Sequence, residues 1–335
     1  MKMTKGRRPT RQLIAAVSAA IVLLVISGCP EASLLGLVDE IETDTDGDGN
    51  GGGVPSQYES PNIGTMKRVP GGTYQRDDTD TNITTVSAFY IGVHQITGAE
   101  FETIMGTDPS DKTRSRSAND PVQRVSWYDA IAFCNKLSIA EGKTTVYGVS
   151  GIDWATLLFD DIPTDENATW NAATMNTAAN GYRLPTEAEW MWAAIGATSG
   201  HGYGGSGTYT TGWQKAFAGS DGSSFIADYA VYQQNSGPDD NDEETRSTRP
   251  VGSKLPNELG VYDMSGNVWE WTWDWWQESY PSGTLSDPTG PTSGSSRVRR
   301  GGSWDSPASN CAVAGRIARG PFNRNNYLGV RVVSR

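Results

Sequence analysis

Residues 260–271 read GVYDMSGNVWEW, and this stretch carries most of the information about the fold. Its first half is rich in Gly, Asp and Asn, which favour tight turns. Its second half begins an alternation in which Trp takes every second position from Trp269 to Trp275. Because successive side chains of a strand point to opposite faces, this alternation predicts a strand with a row of indoles along one face. Core packing is the preferred interpretation for most of these residues.

Upstream of this stretch, three helix starts share one signal. Each has Ser or Thr followed three residues later by Glu or Asp, the pattern of a capping box. The predicted N-caps are Thr97, Ser126 and Thr186, and Gly142 is the predicted stop of the second helix. Strand signals lie at residues 69–74, 86–93 and 329–333. Early helices, short strands and long loops predict an α+β fold that is loop-rich and low in secondary structure.

Composition and charge narrow the possible classes of function. The chain has 335 residues, of which 36% are apolar, 39 are Gly and 12 are Trp, which argues against a coiled coil or a disordered chain. It contains 27 Lys and Arg and 39 Asp and Glu. Five of the cations precede residue 29, so the remainder has 22 basic and 39 acidic residues and a net charge of −17. Nucleic-acid binding needs a concentrated cationic face, so no nucleic-acid partner is expected.

The beginning of the chain predicts export and lipid anchoring. Five cations precede an apolar run at residues 13–26, which is short for a membrane-spanning helix and has the flanks of a secretory signal. Small residues precede Cys29, and the pattern resembles a bacterial lipobox. It predicts a lipoprotein signal peptide at residues 1–28 and a mature protein held in the cell envelope, outside the cytoplasm, by lipid on Cys29. Pro30 favours the outer membrane if the cell has one; an ordinary signal peptide with an accidental Cys is the alternative.

Residues 29–60 are predicted to form a lipid-anchored linker rich in Gly and Asp. Residues 44–53 read DTDGDGNGGG, which matches the first half of an EF-hand calcium loop. Position 12 of that loop would be Pro55, where a bidentate Glu is needed, so an extended tether is the preferred interpretation. The folded body is then expected at residues 61–335.

Seven segments of this body resemble the formylglycine-generating enzyme family, also called the sulfatase-modifying factor family, and they occur in the family's order. They are VPGGTY from residue 69, FYIG from 89, PVQRVSWYDA from 121, NGYRLPTEAEW from 180, GVYDMSGNVWEW from 260, RGGSW from 300 and GVR from 329. The resemblance implies the family's variant of the C-type lectin fold.

The resemblance also implies where catalysis would take place. In aerobic members of the family, two Cys after the Gly-Gly-Ser motif bind Cu(I) and handle the substrate thiol. The catalytic family positions fall on Ser303, Ser306, Cys311 and Trp269, and Ser306 stands where the first Cys is required. A hydroxyl is a hard, weak ligand for the soft Cu(I) ion, so copper binding and formylglycine-generating activity are not expected.

Residues 263–270 match a calcium loop of the family. By resemblance, Asp263 and Glu270 supply side-chain oxygens, and Gly266 and Val268 supply backbone carbonyls to a structural Ca²⁺. Calcium is a hard ion that takes several oxygen ligands, including carbonyls from a turn. Packing of the turn without a metal is the alternative.

The family builds its substrate groove around the segment after Gly-Gly-Ser. Residues 297–335 hold eight Arg and a single acidic residue, Asp305, in an otherwise acidic body. The predicted ligand-binding residues are Trp304, Arg316, Arg319, Asn323 and Arg324. Arg and Asn would recognise carboxylates, sulfates or backbone amides, and the Trp would offer an apolar platform. Alternatively, several of these Arg only neutralise the acidic remainder of the fold.

Three functions therefore compete. The leading hypothesis is a surface-tethered lipoprotein whose domain is a non-catalytic binding or structural module, with an extracytoplasmic protein or a polar or anionic ligand as partner. The rival is a divergent formylglycine-generating oxidase that acts on a sulfatase cysteine. The third is a ligand-binding lipoprotein whose residues 304–326 are diversified by a retroelement.

Overall fold

The computed structural model describes residues 54–197, 212–220, 224–238 and 243–335. The predicted signal peptide, the predicted lipidation site Cys29 and most of the predicted linker lie outside these residues. Within the described ranges, no helix combines the length and the apolar character needed to cross a bilayer.

Short strands outnumber helices throughout the described body. The strands are β1 (Gln57–Ser60), β2 (Gly64–Val69), β3 (Gly72–Gln75), β4 (Ile83–Val86), β5 (Phe89–Gly92), β6 (Tyr147–Gly148), β7 (Thr174–Met175), β8 (Trp269–Trp275), β9 (Leu285–Ser286), β10 (Arg297–Arg300), β11 (Arg316–Arg319), β12 (Leu328–Gly329) and β13 (Val333–Ser334). The helices are α1 (Gly98–Met105), α2 (Trp127–Ala140), α3 (Ala168–Asn171), α4 (Glu187–Ala194) and α5 (Ile226–Tyr229).

Two four-stranded sheets form the framework of the described body. One has the order β1-β2-β5-β13, and the other has the order β11-β10-β8-β12. In the second sheet β8 runs antiparallel to β10 and parallel to β12. Smaller sheets, β3-β4-β9 and β6-β7, lie outside these two. The edge strand β11 therefore belongs to the same sheet as the Trp-rich strand β8.

All three predicted capping boxes are present. Thr97, Ser126 and Thr186 each accept a hydrogen bond from the backbone N–H three residues on, and the carboxylate of that third residue accepts one from the backbone N–H of the cap residue. Such a box satisfies two backbone donors that a helix start would otherwise leave unpaired. Gly142 follows the second helix in the left-handed region, with φ of 66°, as a stop signal should.

Two of the strand predictions need correction, and one strand was not predicted. The strand expected at residues 86–93 is two strands, because the chain leaves β4 at Val86 and joins another sheet as β5 at Phe89. The strand expected at residues 329–333 is likewise divided between β12 and β13, which pair with β8 and β5. β1 pairs with β2 although it falls in the predicted linker, so the folded body includes residues 57–60.

The Trp-rich strand β8 is confirmed, but both of its faces are buried. Trp269, Trp271 and Trp275 are buried, and so are the intervening polar residues Glu270 and Asp274. A buried polar group is costly unless it is paired, so each of these carboxyl groups needs a partner inside the protein. The polar face of β8 therefore places two carboxyl groups, those of Glu270 and Asp274, in the interior of the protein.

Candidate functional site

The turn that precedes β8 is built from residues in unusual backbone conformations. Asp263, Gly266 and Asn267 have φ values of 55°, 84° and 61°, in the left-handed region that Gly, Asn and Asp tolerate best. A Cβ on Gly266 would lie 2.3 Å from the Val231 carbonyl oxygen, so only Gly fits there. The Asn267 side-chain amide pairs with the backbone of Arg249 at 3.0 and 3.1 Å and fixes the turn to that neighbouring loop.

The predicted calcium ligands do come together, and Gln95 lies among them. Its Nε2 is 3.2, 3.3 and 2.9 Å from the carbonyl oxygens of Asp263, Gly266 and Val268, and 3.0 Å from Glu270 Oε1. Asp263 thus contributes its carbonyl where its carboxylate was expected. The four oxygens would suit a hard cation as ligands. The amide nitrogen of Gln95 already lies between them, so the residues present do not fit calcium as they stand.

The carboxylate groups of this turn are otherwise engaged. Glu270 is fully buried, accepts from Trp190 Nε1 at 2.7 Å, and is paired with the buried Arg331 at 2.9 Å. Asp263 Oδ2 accepts from the backbone N–H of Gly252 at 2.8 Å. Burial raises the pKa of Asp263, because water no longer stabilises its charge.

The catalytic family positions lie in the interior. Ser303 and Ser306 are buried, and their hydroxyl oxygens are 3.0 Å apart in a mutual hydrogen bond. Trp269 is 3% exposed and lies under the guanidinium of Arg299, which is 4.7 Å from its ring centre. The structure therefore brings Ser303 and Ser306 together as a hydrogen-bonded pair inside the fold.

Cys311 also lies inside the protein. A Cβ added to Gly302 would be 2.5 Å from its Sγ, so the thiol packs directly against that backbone. Burial raises the pKa of Cys311 to about 12. Because the thiolate is the nucleophilic and metal-binding form, the raised pKa disfavours reaction of this thiol at neutral pH.

The predicted ligand-binding residues do not form one surface. Trp304 is 3% exposed and packs against Val231 and Val268, so the prediction of an exposed apolar platform is wrong. Its indole Nε1 donates to the Asn326 carbonyl at 2.9 Å. The indole ring of Trp304 can be buried in the core because its N–H group is hydrogen-bonded to a backbone carbonyl there.

Two of the predicted binding arginines are committed to buried carboxylates. Arg316 belongs to β11, not to a loop, and its guanidinium holds Glu187 at 2.7 and 2.9 Å. Arg324 holds the fully buried Asp129 at 2.7 and 2.6 Å. Both therefore belong in large part to the group of arginines that neutralise acidic residues of the fold.

The remaining predicted binding residues make local contacts. Arg319, also in β11, donates to Asn325 Oδ1 at 3.0 Å. The Asn323 side chain donates to the Gly320 carbonyl at 3.0 Å and closes the turn that follows β11. These two contacts hold the segment that leads to residues 324–326.

One cleft borders that segment, and sequence reasoning identified only part of its lining. It has a volume of about 480 Å³ and is lined by Pro109, Arg124, Phe159, Arg324, Asn325 and Asn326. Arg124 has φ of 61°, a strained conformation for Arg, and half of its side chain is exposed. Strain of this kind is concentrated at functional sites. Nothing in the residue type signals it, because Arg is not enriched in the left-handed region.

Sequence reasoning also missed a buried arginine beside β8. The Arg297 guanidinium lies 3.5 Å from the ring centre of Trp275 and 3.7 Å from that of Trp127. Burial lowers the pKa of Arg297 to about 9. The neighbouring Asp274 is buried beside Glu187, and burial, reinforced by that carboxylate, raises its pKa to about 8. The alternating Trp signal gave no indication that a cation would lie between the rings.

The fold and this site define an α+β domain of the C-type lectin kind, in the loop-rich variant of the formylglycine-generating enzymes. The model of the sulfatase-modifying factor enzyme 1-like domain matches residues 52–335, so the chain belongs to the sulfatase-modifying factor family.

Individual relatives differ in the function that their names state. The chain is 35% identical over 280 residues to the chaperone protein LppX of Paenibacillus barcinonensis, covering 79% of this chain and 87% of that protein. It is 35% identical over 176 residues to the formylglycine-generating enzyme of Streptomyces coelicolor, covering 49% of this chain and 50% of the enzyme. Among solved structures, Treponema denticola variable protein 1 superposes with a TM-score of 0.70 at 36% identity, covering 83% of this chain and 98% of that one.

Proposed function

We propose that this chain is a non-catalytic binding module of the sulfatase-modifying factor family, tethered in the cell envelope by lipid on Cys29. Its site is the cleft beside residues 324–326, and its ligand is an acidic polypeptide segment. The observation that carries the proposal is the chemistry of this cleft, which offers hydrogen-bond donors from Arg124 and from residues 324–326, in the segment that follows Gly-Gly-Ser.

The donors in the cleft are only partly used. Arg124 makes one ion pair, at 3.1 Å with Asp111. Arg324 spends Nε and Nη2 on Asp129, and its Nη1 has no hydrogen-bond partner among the described residues. Asn325 accepts through Oδ1, while its Nδ2 has no partner in that same part of the chain. A donor-rich cleft favours a ligand rich in acceptors, such as carboxylates and peptide carbonyls.

The residues at the catalytic family positions argue against the alternative of a formylglycine-generating oxidase. Ser306 replaces a thiol that the copper site of the family requires, and its hydroxyl is paired with that of Ser303. Cys311, the one thiol at these family positions, is buried and its pKa is raised. Neither group offers a thiolate to a substrate or to Cu(I).

A polypeptide ligand is also in keeping with the similarity to a protein named as a chaperone. Since the body is acidic overall, it repels an acidic ligand, whereas the arginines of the cleft attract it. This contrast favours binding of the ligand at the cleft.

The similarity to the Treponema variable protein favours a second candidate, in which residues 304–326 are diversified by a retroelement. A reverse transcriptase gene and a template repeat beside the coding sequence would identify that case.

Binding can be tested with three peptides of equal length, rich in Glu, in Ser or in Lys. The full chain in mild detergent should retain only the Glu-rich peptide, and Arg124→Ser should weaken that binding at least about tenfold through loss of a charge-assisted contact. Lys67→Ser is the matched control, because it removes the same charge from β2, outside the cleft lining. Equal retention of all three peptides, or equal loss in the two variants, contradicts the proposal.

A further inference from the structure

Four oxygens and one nitrogen meet in the turn before β8. The oxygens are the carbonyls of Asp263, Gly266 and Val268 and the carboxylate of Glu270, and all lie within 3.3 Å of Gln95 Nε2. Gln95 itself is fully buried. We propose that the Gln95 amide takes the place of the cation expected here, so that a protein donor holds this turn in place of calcium.

The orientation of the amide is dictated by its surroundings. Turning it over would place Oε1 against four oxygens with no proton between them, and lone pairs would face lone pairs. The cost of this orientation falls on the amide oxygen, because Gln95 Oε1 is buried without a hydrogen-bond partner in the described part of the chain. An amide NH₂ has two protons, so the four surrounding oxygens must share them.

The distances and the charges both suit an amide better than Ca²⁺. The four separations of 2.9–3.3 Å are those of N–H···O contacts, whereas calcium takes six to eight oxygens at about 2.3–2.6 Å. The guanidinium of Arg331 is already 2.9 Å from Glu270 Oε1. A divalent ion on the same carboxylate would be repelled by that buried positive charge.

The turn also positions the segment that leads to the binding cleft. Gly266 N donates to the Gly301 carbonyl at 2.7 Å, and Trp304 N donates to the Asn267 carbonyl at 2.8 Å. Trp304 in turn holds the Asn326 carbonyl. If Gln95 replaces the ion, the geometry of residues 301–326 does not depend on the calcium concentration around the cell.

The experiment compares the full chain with two variants at position 95. Gln95→Ala removes the amide and opens its space, so that calcium can reach the three carbonyls, Glu270 and Asp263 Oδ1, which accepts no hydrogen bond from the described residues. Gln95→Met is the matched control, because it fills similar space without a donor or a hard ligand. Melting is followed with chelator and with millimolar calcium, and ion binding is read from terbium luminescence sensitised by Trp190, which contacts Glu270.

We expect the melting temperature of the wild type to be equal, within about 1 °C, with chelator and with calcium, and no terbium signal. Gln95→Ala should bind terbium, and its melting temperature should rise by at least about 5 °C when calcium exceeds its dissociation constant a hundredfold. Gln95→Met should be less stable than the wild type and should not respond to calcium. If Gln95→Ala folds only with calcium, the proposal is supported.

Two results overturn the proposal. The first is a calcium-dependent melting temperature in the wild type, which restores the calcium site that the family resemblance implies. The second is a Gln95→Ala variant that binds neither terbium nor calcium, because the turn would then hold no cation position for an amide to replace. If that variant fails to fold in every condition, the wild-type measurement still decides.

Discussion

Arg324 should stabilise the fold as well as line the cleft. It is the ion-pair partner of Asp129, which is completely buried and also closes the capping box of α2. Arg324→Ser leaves this carboxylate without its counter-charge, and removal of one partner from a buried pair costs about 3–5 kcal/mol. At about 2–4 °C for each kcal/mol in a domain of this size, the melting temperature should fall by roughly 6–20 °C.

Two further variants isolate the cause. Asp129→Asn in the Arg324→Ser background removes the stranded charge, while an amide oxygen can still accept from Ser126 N, so at least about half of the lost stability should return. Arg124→Ser breaks only a half-exposed ion pair, which is worth about 0–1 kcal/mol, and should melt within about 3 °C of the wild type.

Thermal and urea unfolding of the four proteins measures these differences. The reasoning is refuted if Arg324→Ser melts within about 2 °C of the wild type, or if Asp129→Asn gives no recovery in that background. A small effect would mean that Arg324 is available to ligand as the sequence alone suggested, and that Asp129 is satisfied by Ser126 alone.

Two other predictions follow from the charges and the anchor. Burial raises the pKa of Asp274 to about 8, above its unfolded value of about 4, so its favourable contribution to stability is complete below pH 4 and is lost by pH 8. Over that window the free energy of unfolding of the wild type should fall by up to about 1.4 kcal/mol per pH unit relative to Asp274→Asn. Parallel pH profiles of the two proteins would contradict the raised pKa. If Cys29 carries lipid, the wild-type protein should partition with membranes, and the Cys29→Ser variant should be released from them or remain unprocessed. A wild-type protein that is wholly soluble and has no added mass at Cys29 would contradict the lipid anchor.

Local signals made much of the fold predictable. The three capping boxes fixed the starts of α1, α2 and α4 because the signal lies within four consecutive residues, and the alternation in β8 is equally local. Sheet membership could not be read in this way. Val86 and Phe89 are close in sequence but lie in strands of different sheets, and that choice depends on partners far along the chain.

The site was harder to predict than the fold, because the roles of its residues depend on partners distant in sequence. The cationic stretch at residues 297–335 was visible, but not that Arg316 and Arg324 hold Glu187 and Asp129, which lie 129 and 195 residues away. Arg124 gave no signal because its role depends on a backbone angle. The oxygen ligands of the turn could be predicted from one short motif, whereas Gln95, 168 residues before Asp263, could not.

The central claim is that the segment after Gly-Gly-Ser serves binding in place of thiol oxidation. The most direct measurement is mass spectrometry of a Cys-containing sulfatase peptide after incubation with the full chain, oxygen, copper and reductant. The account predicts that the Cys of the peptide remains unconverted, because Ser306 and the buried Cys311 offer no thiolate. Formation of the aldehyde by the wild type, and its loss in Cys311→Ser, would contradict the account.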